Sequence, residues 1–349
     1  MSFPYIPGDG VIKISVSKAL ERELRHDAES FEIYKGKEQD VDLNKFLNIL
    51  VKNYYDYYID EIVKKSDTIR IILAGYISDP DKLEKAVRQL TEKENQDSED
   101  AGKADGRPFR FRPVKENEIF VNSILGKMFQ MDLSYSGEFR RMLYSYSKKP
   151  SYERERIIYL ETAGKLMEVC RKKINIMFHY RDNPSMQHTV TPYKMLMGSD
   201  GQYNYLLCQE YNEEAGKLLA ISYRLSRIVN IRETPVKQAM DETVRKYLEK
   251  MEECGPQYNI NEDTETCVEL TEMGRKNYKK IYQGRPLKYT SDKPDENGNA
   301  RYYFSCSQDQ LFLYFRRFNP GEAAVIYPEK LKRRLVQFHE RHLEAVGGE

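Results

Sequence analysis

The sequence predicts an α+β chain in three parts: a helical N-terminal part, a small β-barrel in the middle and a mixed C-terminal region. Three observations carry that expectation. A strand-helix-turn-helix pattern occurs twice within residues 1–150. Short alternating segments separated by turn residues follow between residues 174 and 231. Beyond residue 236, strand-like and helix-like segments are interspersed.

The chain has 349 residues, enough for two or three domains. With 56 Lys+Arg against 55 Asp+Glu, any grip on a polyanion has to come from local patches rather than net charge. No apolar run approaches the roughly 18 residues of a membrane helix. The start, with Pro4, Pro7, Gly8 and Gly10, lacks the basic and apolar regions of a signal peptide. Cys170, Cys208, Cys254, Cys267 and Cys306 are scattered and never in a CxxC spacing, which argues against a disulfide framework and a zinc ribbon. The expectation is a cytoplasmic chain without membrane association. Tyr is abundant (27 residues) and Trp absent, and tyrosine suits base stacking as well as core packing.

In the first copy of the repeat, Ile12, Ile14 and Val16 alternate as on a half-buried strand. Ser17 can cap a helix through Leu20, Leu24 and Ala28. Asp42 can cap a second, with Leu43, Phe46, Leu47, Leu50, Val51 and Tyr54 on one face. In the second copy Phe109 and Phe111 alternate with Arg110 and Arg112. A helix through Ile119, Phe120, Ile124, Leu125 and Met128 follows, and another through Phe139, Met142, Leu143 and Tyr146. Between the copies, residues 79–90 read as a helix. The acidic stretch near 91–106 has almost no apolar residue and reads as a solvated, disordered linker.

Residues 151–235 read as a helix followed by the barrel. Ile174, Ile176, Phe178 and Tyr180 alternate, as do Tyr203, Tyr205 and Leu207, with Gly198-Ser199-Asp200-Gly201 built for a turn between them. A third strand-like segment spans 218–231. Residues 236–349 form the α+β extension: a helix over 235–254, then strand-like 267–270, helix-like 273–281, strand-like 301–305, a helix over 308–318, strand-like 323–327 and a terminal helix to Ala345.

Strand, helix, turn, helix, twice over, resembles the ribbon-helix-helix family, in which two such units interlock and their paired strands enter the DNA major groove. The resemblance implies a built-in pseudo-dimer within one chain. Generic amphipathic helices account for much of the same pattern. Residues 155–346 resemble the WYL-domain family. The match lies in Tyr180, in Thr191-Pro192-Tyr193, in Asn204-Tyr205-Leu206 at the naming triplet, and in Tyr223-Arg224-Leu225-Ser226-Arg227-Ile228. The sequence departs from the family at Asn204, where the tryptophan stands, at Ser226 for an aspartate, and at His188 or Thr189 and at Ile221, where arginines are usual. The resemblance implies an Sm-like barrel with a C-terminal extension through Phe318-Asn319-Pro320-Gly321 and Val325-Ile326-Tyr327-Pro328. A ribbon-helix-helix front joined to a WYL domain is similar to the WYL accessory proteins encoded with type VI-D CRISPR systems. That similarity implies binding of single-stranded RNA and stimulation of an RNA-guided ribonuclease, without catalysis by the chain itself.

Independently of family, Arg224 and Arg227 offer forked donors to phosphates, Lys194 a point charge, and Tyr203 and Tyr205 stacking faces on one strand. Core packing and ion pairing are the alternative roles for the same residues. His188 joins them at an arginine position of the family. On the ribbon, Lys13, Arg110 and Arg112 oppose the apolar face and would meet nucleic acid, and Ser134 and Ser136 could hold a phosphate. Asp40 and Asp42 in the first copy would repel one. Arg140, Arg141, Lys148, Lys149, Arg154 and Arg156 form a further basic stretch, with Glu153 and Glu155 interleaved. No Walker loop, dinucleotide fingerprint, HExxH or GxSxG is present, so no catalytic residue, metal or cofactor is assigned. The expected partners are single-stranded RNA, a type VI CRISPR effector ribonuclease and a second copy of the chain as a homodimer. The alternative is a DNA-binding transcription regulator that senses a ligand through its WYL domain.

Overall fold

The computed structural model describes residues 4–36, 40–101, 108–235 and 238–347. The chain forms two compact units, Met1–Leu160 and Glu161–Glu349.

In the first unit, β1 (Ile12–Ile14) leads into α1 (Lys18–Ser30), α2 (Leu43–Ala74) and α3 (Pro80–Ala101). Then β2 (Phe109–Phe111) leads into α4 (Glu118–Gln130), α5 (Tyr135–Ser147) and α6 (Ser151–Ile158). The two strands pair antiparallel with Ile12 opposite Phe111, Lys13 opposite Arg110 and Ile14 opposite Phe109. Alternation decides their faces: the four apolar side chains are buried, and Lys13 and Arg110 point to solvent. Side-chain caps start three of the helices, at Ser17 and Asp42 as the sequence places them and also at Ser134. Ser17 accepts from the Leu20 N–H, Asp42 from the Lys45 N–H and Ser134 from the Gly137 N–H. Asparagines tie α2 to the chain leaving β2. Asn44 accepts from the Arg112 N–H at 2.8 Å, Asn48 donates to the Arg112 carbonyl at 3.0 Å, and Asn117 donates to the Asn48 carbonyl at 3.0 Å. Phe46 and Tyr54 of α2 pack edge-on against Tyr146 of α5, and Phe111 against Phe139.

Two features of this unit correct the sequence reading. The helix begun at Asp42 runs on to Ala74, although its buried residues end at Tyr58. The stretch expected to be a disordered linker is helical as far as Ala101, and residues 102–106 lie outside the described ones. A helix already nucleated over 80–90 extends cheaply through Glu, Lys, Gln and Ala, which need no apolar face to stay helical. The Arg88–Glu92 pair at 2.8 Å bridges the two parts.

In the second unit, α7 (Leu160–Lys172) precedes β3 (Ile176–Tyr180), β4 (Asn183–Met197), β5 (Asn204–Asn212), β6 (Lys217–Arg224) and β7 (Ile228–Glu233). These form one antiparallel sheet in the order β6-β5-β4-β3-β7. The turn after β4 forms as its glycines require, with Gly201 at φ +67° and the Gly198 N–H donating to the Tyr203 carbonyl at 2.7 Å. The segment read as one strand over 218–231 is broken by a 3₁₀ turn, Leu225–Arg227, which sends β7 to the opposite edge of the sheet.

The expected barrel is not closed: among the described residues β6 and β7 share no ladder. The free edge of β6 is covered by side chains instead. Asn261 accepts from the Ala220 N–H at 2.7 Å and donates to the Ala220 carbonyl at 2.9 Å, and Asn259 accepts from the Ser222 N–H at 3.0 Å. Two asparagines two residues apart thus take the pairing positions a neighbouring strand would occupy.

The chain continues through α8 (Glu242–Cys254), β8 (Thr266–Leu270), α9 (Glu272–Lys280), β9 (Lys288–Ser291), β10 (Ala300–Phe304), α10 (Gln308–Phe315), β11 (Ala323–Tyr327) and α11 (Glu329–Gly347). The apolar stripe of α8, Val244, Leu248 and Met251, packs with Leu207 of β5 and Ala220 of β6. The sequence separated these regions at residue 235, and this packing joins them. The last four strands form a second antiparallel sheet, β11-β8-β10-β9, over a core of Val268, Leu270, Phe304, Leu311, Tyr314 and Phe315. Strand β9 was not foreseen, because Lys288-Tyr289-Thr290-Ser291 carries no apolar alternation. Gly274 is required where it stands: a Cβ there would meet the Glu322 carbonyl oxygen at 2.0 Å. Among the described residues no helix is long and apolar enough to cross a membrane, and the five cysteines are free.

Candidate nucleic-acid interface

The family-signature residues Tyr223 and Arg224 close β6, so their side chains leave the sheet on opposite faces. Arg224 lies opposite Tyr205 in the β5–β6 register, and its guanidinium carbon sits 3.4 Å from the centroid of the Tyr203 ring. Tyr203 precedes β5 by one residue. The structure therefore brings Arg224, Tyr203 and Tyr205 together at the β4–β5 end of the sheet. A guanidinium seated on a phenol ring combines a fixed cation with an aromatic surface, a pairing that suits a phosphate beside a base. Tyr205 also packs closely against this turn, since a Cβ at Gly198 would come within 3.1 Å of its ring.

The other expected contacts have different surroundings. Lys194, on β4, forms an ion pair with Glu252 of α8. Arg227, in the 3₁₀ turn, pairs with Asp182 at 2.6 Å. The three cations thus go to three places, and Arg224 is the one that lies over the Tyr203 ring.

His188 is withdrawn from the surface. It is 7 % exposed, its ring stacks on Phe178 at 5.5 Å, and its Nδ1 lies 2.8 Å from Glu210 Oε1 and 2.7 Å from the Tyr223 hydroxyl. The Tyr223 hydroxyl in turn donates to Glu210 Oε2. Because a carboxylate only accepts, Nδ1 carries the His188 proton in this triangle. Burial, and then the bond to Glu210, push the Tyr223 hydroxyl well above its ordinary range, so it stays a donor. Glu210 was not singled out from the sequence. The available signal was its position: it continues the Leu206, Cys208 alternation on the buried face of β5, where a carboxylate needs partners.

On the ribbon, Lys13 and Arg110 are exposed and directly opposite. Among the described residues neither side chain has a hydrogen bond or ion pair. Arg112 is exposed beyond them, its backbone held by Asn44. The two serines expected at a phosphate site serve the fold: Ser134 caps α5, and Ser136 accepts from the Ser15 N–H at 3.2 Å. The basic stretch after residue 140 divides. Arg140 donates to the Ser15 carbonyl, and Arg154 is buried against Asp27 at 2.9 Å and Glu23 at 2.8 Å. Arg141, Lys148 and Lys149 line a cavity.

No family model and no curated protein matches the sequence. Solved structures do match. One, described as the crystal structure of a CRISPR Cas-related protein, superposes with a TM-score of 0.69 over 97 % of this chain and 94 % of that chain, at 18 % identity. The chain shares its fold with that CRISPR Cas-related protein. A second match, to the proteasome accessory factor B/C of Arthrobacter aurescens, covers 65 % of this chain and 35 % of that one, at 14 % identity and a TM-score of 0.24. It carries no argument here.

Proposed function

We propose that the chain is a non-catalytic, single-stranded-RNA-binding accessory protein that raises the activity of an RNA-guided type VI CRISPR ribonuclease. The observation that carries this reading is the Arg224 guanidinium lying on Tyr203 beside Tyr205. It joins a fixed cation to stacking surfaces, and unpaired bases offer both a phosphate and a π-face. A fold shared end to end with a CRISPR Cas-related protein supports the assignment to such a system. The WYL domain with a ribbon-helix-helix front, read from the sequence, supports its assignment to the type VI-D accessory class. In this reading the protein acts in the cytoplasm as a homodimer, captures RNA on the sheet, and delivers it to the effector or favours the effector's active conformation.

A second reading, an operator-binding regulator, is favoured by one observation: Lys13 and Arg110 stand opposite each other on an exposed antiparallel ribbon. Fluorescence anisotropy with matched single-stranded RNA, duplex RNA and duplex DNA at two salt concentrations separates the two. Preference for the single strand, lost in Arg224→Ala, supports the RNA reading. Preference for duplex DNA, lost in Lys13→Ala/Arg110→Ala, supports the regulator. Light scattering that returns a monomer of 41.2 kDa at every concentration overturns the homodimer.

A further inference from the structure

The cavity beside α5 has no role in either reading. Two helical stripes form its walls. Tyr58, Ile62 and Lys65 recur at i, i+4 and i+7 along α2, and Arg141, Tyr144 and Lys148 at i, i+3 and i+7 along α5. Thr91 of α3 lines a third side of this open recess, whose volume is about 360 Å³. That is within the size range of small-molecule sites.

The walls are charged and largely fixed. Arg141 is held by Glu138 at 2.6 Å, and Lys149 by Glu61 at 2.8 Å. Lys149 also lies 5.0 Å from the Tyr57 ring centroid, and the Lys148 ammonium 4.6 Å from that of Tyr144. Lys148 has no carboxylate partner among the described residues. Among the described residues, Arg141 and Lys149 are each balanced by a carboxylate, Glu138 and Glu61, and Lys148 adds a cation beside them. Cations gathered around a recess attract an anion more strongly than the same cations spread over a flat surface. Arg141 and Lys149 are only 17 % and 14 % exposed and already ordered, so binding costs them little conformational entropy.

A lone phosphate would leave most of this space empty, and the Tyr58, Ile62 and Tyr144 side chains suit a flat apolar group. We infer that the cavity between α2, α3 and α5 binds one phosphorylated nucleotide, with its phosphate toward Lys148 and Arg141 and its base against the tyrosines. The ligand is either a free nucleotide or the terminal nucleotide of an RNA. The inference stands independently of the sheet site.

Isothermal titration calorimetry of the full chain with ADP, GDP, CDP, UDP, adenosine and inorganic phosphate tests it. At least one diphosphate is expected to bind one per chain, and about tenfold or more tighter than inorganic phosphate or adenosine. Lys148→Glu, at an exposed position, is expected to weaken that binding by about tenfold or more and leave the thermal melt unchanged, whereas Arg224→Ala leaves binding intact. Displacement of the bound diphosphate by a 5′-phosphorylated RNA trinucleotide, but not by its dephosphorylated form, assigns the site to RNA ends; failure of both to displace it assigns the site to free nucleotides. Absence of binding by all four diphosphates at millimolar concentration overturns the inference, as does binding that Lys148→Glu does not change.

Discussion

Lys13 and Arg110 face each other across the ribbon with no carboxylate beside them among the described residues, whereas on the five-stranded sheet Lys194 and Arg227 each hold one. Arg224 is intermediate, held by the Tyr203 ring. A carboxylate partner fixes a cation and neutralises it. An aromatic ring fixes a cation without itself carrying an opposite charge. An exposed position opposite another cation does neither, and like charges directly opposite on a ribbon are unfavourable until an anion arrives. Loss of an anchored cation should therefore appear in stability, and loss of an unanchored one in nucleic-acid affinity.

The sharpest test of this division is the most anchored cation. Arg154→Ala leaves Asp27, 1 % exposed, without its ion-pair partner. A loss of about 3–5 kcal/mol is expected in urea denaturation followed by circular dichroism. Tyr203→Ala removes the ring under Arg224 and should weaken single-stranded RNA binding by about 1–3 kcal/mol by anisotropy, with unfolding unchanged; an unaltered RNA affinity would remove this ring from the interface. Glu210→Ala leaves the buried Tyr223 hydroxyl and His188 N–H without their acceptor. Thermal melting should show a loss of about 1–3 kcal/mol, and Glu210→Gln, which keeps one of the two acceptor oxygens, should lose less than Glu210→Ala. For Arg227→Ala, whose pair with Asp182 is largely solvated, about 0–1 kcal/mol is expected. The smallest effect on folding belongs to Lys13→Ala/Arg110→Ala, with stability unchanged or raised by a few tenths of a kcal/mol. If the ribbon binds duplex DNA, the same pair should lower the slope of log affinity against log salt by about 2.

Local signals were readable in the sequence and long-range ones were not. Ile12/Ile14 and Phe109/Phe111 announced two strands by alternation, and Ser17 and Asp42 announced helix starts by their oxygens; Ser134, read as a phosphate holder, caps α5 instead. Helix over 91–101 was missed because absence of an apolar face was read as absence of structure. The covering of the open β6 edge depends on Asn259 and Asn261, some forty residues from the strand they cover, and no local pattern reveals that. At the candidate interface, Arg224, Tyr203 and Tyr205 were legible because residue type and strand spacing placed them together. The engagement of Lys194 by Glu252 and the burial of His188 beside Glu210 depend on partners 58 and 22 residues away.

The two asparagines along β6 also decide how this sheet can meet other molecules. Its last strand has no vacant backbone row at Ala220 and Ser222, so another chain cannot be grafted there as an additional strand. That margin is a finished border, and recognition next to it has to be read from side chains on the faces and at the strand ends, where Arg224 lies. A sheet bordered in this way resists edge-to-edge aggregation at β6.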